Sequence, residues 1–362
     1  MLVSESCTWL FIARCSKIKT KIVLSNVSFI IYLVKFYIYI IALLNIIHAQ
    51  IALPSFHGAQ KTHTSGSSSG TFTFTNCGAT GRTGPTQSQI NSTYTSGNSL
   101  NSGVTINTQG IQEWTVPATA SYTIEAYGAQ GGGDYGGKGA KIVGTFSLSS
   151  GDVLKILVGQ LGTDNSSNST GKSSGGGGGT YVTKSPYNNT SSILVIAGGG
   201  GGEGVSAGCS NDNLTGVGGG TGTSGLAGKG TRCGPASIGT NGYGASRPSS
   251  CNHGCSGGAG FFGNSAAYSA SSWGDVAYSF VNGGQGADQR SSGYGGDGGF
   301  GGGGAGAYGG GGGGGYSGGG TGDFTQPCRD LGGGGGGSYN SGSNQSNTAD
   351  NWEGHGKVVI TY

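Results

Sequence analysis

Six cysteines lie after residue 50: Cys77, Cys209, Cys233, Cys251, Cys255 and Cys328. Thiols in this number do one of two things, cross-linking the chain in an oxidising compartment or binding a metal in a reducing one. Cys251-Asn252-His253-Gly254-Cys255 places three ligands at a spacing zinc accepts. In a secreted chain the compartment favours disulfides over that site. The other histidines of this part, His57, His63 and His355, show no ligand spacing. Gly315-Tyr316-Ser317-Gly318-Gly319 matches the G-x-S-x-G elbow of a serine hydrolase. A glycine-rich tract produces that match by composition, and no strand-to-helix turn surrounds it. G-x-G-x-x-G matches arise in the same way, without the helix a dinucleotide site needs. Gly171-Lys172-Ser173 ends like a phosphate loop, yet Ser166 stands where the spacing requires glycine. No catalytic, metal or cofactor site is therefore expected. Asn91, Asn165, Asn168, Asn188, Asn189, Asn213 and Asn344 head N-x-S/T sequons, which are modified only in secreted chains.

The first 50 residues support a secretory route. Arg14, Lys17, Lys19 and Lys21 precede an apolar run over residues 22–47, followed by the small Ala49. A positive flank before an apolar run reads as a signal peptide, and the run is also long enough for an uncleaved anchor, since roughly 20 apolar residues span a bilayer. Either form sends the chain after residue 50 out of the cytoplasm. Five of the 18 basic residues and one of the 15 acidic ones lie before residue 51, leaving 13 against 14 and a net charge of −1. Without a basic excess the chain is not expected to bind nucleic acid.

Glycine marks the next boundary: residues 1–50 contain none of the 84, and residues 198–337 contain 55 of them. Residues 51–70 read as a Ser/Gly linker. Short alternating or β-branched runs then predict strands over residues 71–75, 104–107, 111–116, 121–127, 141–148, 153–159, 180–183, 192–197 and 357–362. No segment shows a convincing amphipathic helix. The pattern predicts an all-β antiparallel sandwich, its main part at 71–197, with residues 338–362 supplying a linker and the closing strand. The glycine tract at 198–337 then lies between two strands of one sandwich. A flexible excursion of that length is unusual in a compact domain. Phe261, Phe262, Trp273, Phe280, Phe300, Tyr308 and Tyr316 interrupt it and supply apolar area that a linker would not use. Side-chain-free residues can form extended helices of three residues per turn that bond sideways, so an ordered polyglycine-II bundle is expected there.

Several motifs outside the glycine runs resemble one family. Asn76-Cys77-Gly78-Ala79-Thr80-Gly81, Gly84-Pro85-Thr86-Gln87, Trp114-Thr115-Val116-Pro117, Ala126-Tyr127-Gly128-Ala129, Ile156-Leu157-Val158-Gly159-Gln160, Leu194-Val195-Ile196-Ala197 and Gly283-Gly284-Gln285-Gly286 carry the likeness. They are similar to the extracellular glycine-rich domain of the anaplastic lymphoma kinase and leukocyte tyrosine kinase receptors. The resemblance runs over most of residues 71–362. It implies a tumour-necrosis-factor-like, jelly-roll-like sandwich with an inserted polyglycine-II lattice, and a cytokine-like protein as ligand. It departs from the family at Ile90, where a cysteine partner of Cys77 is expected; Cys328 becomes the candidate mate. Two further family cysteines are replaced by Ala287 and a residue near Ala307. The kinase Gly-rich loop, H-R-D and D-F-G sets are missing. The expected function is a non-catalytic extracellular module that binds a protein or glycan, touching membrane only through its N-terminal segment. The alternatives are an ectodomain piece of a receptor kinase and a secreted glycine-rich matrix protein.

Overall fold

The computed structural model describes Lys35 and residues 70–165, 172–205, 214–230, 238–246, 255–266, 276–289, 294–322 and 331–362. The chain divides into two compact units, Met1–Gly66 and Ser67–Tyr362. The expected leader and linker fall outside the described residues apart from Lys35 and Gly70. Among the described residues no helix is long and apolar enough to cross a membrane.

The described part of the second unit is all-β. Its strands are β1 (Thr71–Phe74), β2 (Val104–Thr108), β3 (Ile111–Thr115), β4 (Ala120–Tyr127), β5 (Gly139–Leu148) and β6 (Val153–Leu157). They continue with β7 (Thr180–Lys184), β8 (Ile193–Ala197), β9 (Tyr339–Asn340), β10 (Ser343–Trp352) and β11 (Lys357–Thr361). One sheet has the order β1-β11-β4-β5-β10, the other β2-β3-β6-β7-β8-β9, and every pairing is antiparallel. Period-two alternation fixes the faces: β4 sends Tyr122, Ile124 and Ala126 inward and turns Ser121, Thr123 and Glu125 outward. Phe74, Trp114 and Tyr122 meet edge to face in the core, with centroids 5.8 and 6.5 Å apart. Each such buried ring stabilises the fold by ~1.5–3 kcal/mol.

Two features differ from the sequence expectation. Residues Gln87–Thr93 form a short helix, α1, where none was expected; Thr86 and Gln89 cap it reciprocally and Ile90 anchors it in the core. Residues 338–356 are not a linker. They hold β9, which pairs with β8, and β10, which extends the first sheet beyond β5. The run SNQSNTADNW of β10 has no apolar alternation. Its pairing with β5 is interrupted by two register shifts, and Asn344 and Asp350 within it both take φ of 48°.

The pairing of β8 with β9 brings the two ends of the glycine region onto adjacent strands. Inside that region the backbone bonds sideways with a period of three. Successive N–H groups of residues 199–204 donate to carbonyls of Gly314, Ala129, Val217, Gly311, Gly132 and Leu214. Carbonyls of residues 198–203 accept from Ala140, Gly336, Gly177, Gly137, Gly333 and Ser174 in the same rotation. Six segments thus surround one. Residues 310–315 repeat the pattern, donating to Leu331, Ser174, Ser256, Gly334, Gly177 and Ala259, and so do residues 174–179, which precede β7 in the chain and complete the same glycine region in space. An α-helix bonds within itself and a strand alternates between two neighbours, so neither gives this rotation. The close approach demands glycine: a Cβ on Gly200 would overlap the carbonyl of Gly137, and one on Gly314 that of Gly301.

Side chains lock this region to the sandwich. Ile111, Leu157, Tyr181, Ile193 and Ile196 of the second sheet pack against Phe261, Phe280, Phe300 and Tyr316 of the glycine region. The Tyr181 hydroxyl donates within reach of two carbonyls, Gly315 O at 3.0 Å and Gly301 O at 3.3 Å. Burial pushes its ionisation well above the usual phenol range, so it stays a donor.

Candidate interaction surface

The described cysteines do not act as a set. Cys77 is a free, buried thiol 3.7 Å from Thr75 Oγ1, and its candidate mate Cys328 lies outside the described residues. Placed shortly after β1, at φ 49°, it is turned into the core beside Tyr94 and Ile90. Cys255 is partly buried, its Sγ 3.6 Å from Gly322 O. Cys209, Cys233, Cys251 and Cys328, with His253, lie outside the described residues. Ser317 is no nucleophile candidate in this fold: it is fully buried and its hydroxyl accepts the Gly242 N–H at 3.1 Å. Ser173 is buried too, its Oγ accepting from Val205 N. Ala287 packs in a small alanine cluster with Ala259, Ala277 and Ala305.

The sequons separate by geometry. Asn91 on α1, Asn188 and Asn189 between β7 and β8, and Asn344 on β10 are exposed. Asn165 is half-buried and donates from Nδ2 to Gly295 O at 2.8 Å, so it is less open to a glycan than the four exposed sites. Asn168 and Asn213 lie outside the described residues.

The structure assembles a charged, aromatic ridge on the outer face of the first sheet that single-sequence reasoning missed. Alternation sends Lys357 of β11, Tyr127 and Glu125 of β4, and Lys141 of β5 to that face, and register sets Lys357, Tyr127 and Lys141 in one row. Lys357 Nζ lies 3.9 Å from the Trp352 ring centroid and 4.6 Å from that of Tyr127. Such a cation over two rings is held by ~0.5–1 kcal/mol per contact at a partly exposed site. Lys141 Nζ pairs with Glu125 Oε2 at 3.0 Å, and the Tyr127 hydroxyl donates to the same oxygen at 2.6 Å. Burial pushes the Glu125 carboxyl up, but the bonds from Tyr127 and Lys141 and the nearby ammonium charges outweigh it and hold the group below its ordinary value. The bond to Glu125 raises Lys141 in turn. Trp352 is fixed by its own Nε1, which donates to His355 O at 2.7 Å. The ridge can meet a partner with two fixed cations and the partly exposed Trp352 ring, while Tyr127, buried beneath the two lysines, holds them in place. The lysines were visible in the sequence; their row depends on register across three strands.

His355 ties this face to the loop after β6. Its Nδ1 accepts the Leu161 N–H at 3.0 Å, which requires the neutral ring, and burial lowers its pKa. Among the described residues no three His, Cys, Asp or Glu side chains converge to hold a metal ion.

No protein-family model matches the chain. Over 109 residues it is 39% identical to the leukocyte tyrosine kinase receptor of Mus musculus, a match covering 26% of this chain and 11% of that receptor. The chain is thus similar, over a part of its length, to a small portion of a tyrosine kinase receptor, which hints at that family.

Proposed function

We propose that the chain is a non-catalytic extracellular recognition module in which a tumour-necrosis-factor-like sandwich carries an inserted polyglycine-II bundle. The observation that carries this reading is the rotation of hydrogen bonds around residues 198–204, with six neighbouring segments and a return to each after three residues. Three residues per turn is the period of the extended helix that polyglycine shares with polyproline. A lattice of this kind is rigid before any partner arrives, so docking on it costs little ordering entropy. The ridge of Lys357, Trp352, Tyr127 and Lys141 suits a protein partner, and exposed sequons at Asn91, Asn188, Asn189 and Asn344 suit a secreted glycoprotein. Buried Ser317 gives no support to hydrolysis.

Expression of the whole chain in a secreting eukaryotic cell tests the reading. Folded protein in the medium or on the cell surface, glycosylated at exposed sequons more fully than at Asn165, is the expected result. Cytosolic protein with no sequon occupied would refute it. The partial identity to a receptor favours a second reading, an ectodomain piece of a receptor kinase. A transcript that continues in frame into kinase-coding sequence would establish that form.

A further inference from the structure

A sandwich of two open sheets has four edge strands, and this chain treats them unequally. On β2 the Gln87 side chain of α1 accepts the Ile106 N–H at 2.8 Å and donates to Val104 O at 3.1 Å. On β1 the Ser99 hydroxyl donates to Thr71 O at 2.8 Å, and just past the strand the Tyr94 hydroxyl accepts the Thr75 N–H at 3.0 Å. The β9 edge is two residues long, and Ser338 before it donates to Gly222 O at 2.8 Å. The fourth edge is β10, ten residues long and exposed along nearly all of them. Apart from bonds within its own sheet, its main chain makes one bond among the described residues, from Asp350 N to Gly219 O at 3.1 Å.

Unpaired N–H and C=O groups on such an edge are a template for another chain, and soluble sheets blunt them with lysine, proline or a bulge. The run SNQSNTADNW has no lysine and no proline, and Asp350 is its one charge. Its two register shifts fall between Ser343 and Ser346 and between Thr348 and Trp352. Between them Ser346, Asn347 and Thr348 keep regular register with Val143, Ile142 and Lys141, so the bulges leave the middle of the edge straight.

The first shift contains Asn344, at φ 48°, which heads the sequon Asn344-Gln345-Ser346. All three residues are exposed, and the Asn344 side chain makes no hydrogen bond with any described residue. The other exposed sequons stand elsewhere: Asn91 on α1, where it accepts from Gln87 Nε2 at 2.9 Å, and Asn188 and Asn189 between β7 and β8, where Asn189 caps Ser192 N. Among the described sequons, then, Asn344 alone sits on an open strand edge. The straight stretch begins two residues further on and lies about 7–13 Å along the strand, within reach of an oligosaccharide. We infer that Asn344 carries an N-linked glycan that covers the open edge of β10 and keeps copies of the chain from pairing along it.

The donor is a lipid-linked oligosaccharide diphosphate of the secretory route. Asn344 Nδ2 forms a bond to the anomeric carbon and gives up one proton, the bond from that carbon to the diphosphate oxygen breaks, and the diphosphate leaves with the electron pair. Nothing is oxidised or reduced. The assignment rests on the reading of the chain as an extracellular module.

Two measurements on the secreted, full-length protein test it: occupancy of Asn344 by peptide mass spectrometry, and mass in solution by light scattering over a wide range of concentration. The expected result is an occupied Asn344 and a wild-type mass that does not change with concentration. In Ser346→Ala, which deletes the sequon and leaves the left-handed Asn344 in place, the mass should about double as concentration rises. Adding Ala349→Lys to that variant should restore the constant mass, because two lysines then meet across the paired edges. Asn188→Gln, which removes another exposed sequon, should behave as the wild type. Where Ser346→Ala is not secreted, endoglycosidase trimming of the folded wild type and of Ala349→Lys gives the same pair of readings. A secreted protein with Asn344 bare, a wild type that associates as steeply as the deglycosylated form, a deglycosylated form of constant mass, or association that Ala349→Lys leaves unchanged overturns the edge assignment and leaves the module reading standing. Failure of the wild type to be secreted would instead strike the module reading itself.

Discussion

The sandwich and the glycine region reach a close-packed interior by opposite means. In the sandwich, side chains such as Phe74, Trp114, Ile124 and Ile142 fill the space between two sheets, and the strand backbones bond mainly to their neighbours in the same sheet. In the glycine region there is almost nothing between backbones, and peptide groups bond to neighbours all round. The first interior is held by burial of apolar area, the second by peptide hydrogen bonds that only the absence of Cβ permits. A core made of side chains can absorb a lost methyl; one made of main chain has no room for an added one.

Glycine-to-alanine substitution is the strongest way to break that contrast. In Gly200→Ala the added carbon meets the backbone carbonyl of Gly137, which cannot turn away without losing its bond from Gly131 N. We expect loss of at least ~4 kcal/mol or failure to fold, measured by denaturant unfolding. Gly222→Ala, with open space at its Cβ and no left-handed φ, is expected to be neutral or to stabilise by up to ~1 kcal/mol. Equal effects at the two positions would erase the distinction. In the sandwich the matching change is Ile124→Val, which removes one buried methylene and should cost only ~0.5–1.5 kcal/mol by the same measurement.

Tyr181→Phe probes the seam between the regions. It leaves the ring in its apolar cluster but removes the donor to Gly315 O, stranding that buried carbonyl at a cost of ~1–3 kcal/mol, while Gly301 O keeps its bond from Gly179 N. Thermal melts that move no more than those of a surface variant would mean the hydroxyl does not bridge the two regions.

The smallest expected effect is on pH. Burial depresses the folded pKa of His355 below its reference value of 6.5, so the unfolded chain binds more protons there. Its contribution to stability is complete above about pH 6.5 and is lost as pH falls through the folded value. Glu203 and Asp297, raised first by burial and then by neighbouring carboxylates, act with the opposite sign: their contribution is present at acid pH and lost as pH rises through their folded values. Melting temperatures compared on either side of pH 6.5 should fall on the acid side in the wild type and fall less in His355→Gln.

The legibility of the sequence divides along the same line. Alternation in TFTF and SYTIEAY announced β1 and β4, and the short apolar runs announced β6 to β8, because a two-sided sheet writes its faces into the sequence. That the glycine region has ordered aromatic anchors was legible from Phe261, Phe280, Phe300 and Tyr316. Which glycine segment bonds to which was not, since identical residues carry no register. The helix α1 was legible in Thr86 and Gln89 as a capping box but is too short to show a period. The exposed β10 carries no hydrophobic pattern and is set by its place beside β5. The ridge around Lys357 and the free thiol of Cys77 both depend on the tertiary fold and left no local mark.

Amide hydrogen exchange at residue resolution tests the central contrast most directly. If main-chain bonds make the glycine region rigid, the amides of residues 174–179, 199–204 and 310–315 will be as protected as those of β4 and β5. Exchange at unprotected rates throughout those three segments, while β4 and β5 stay protected, would contradict it.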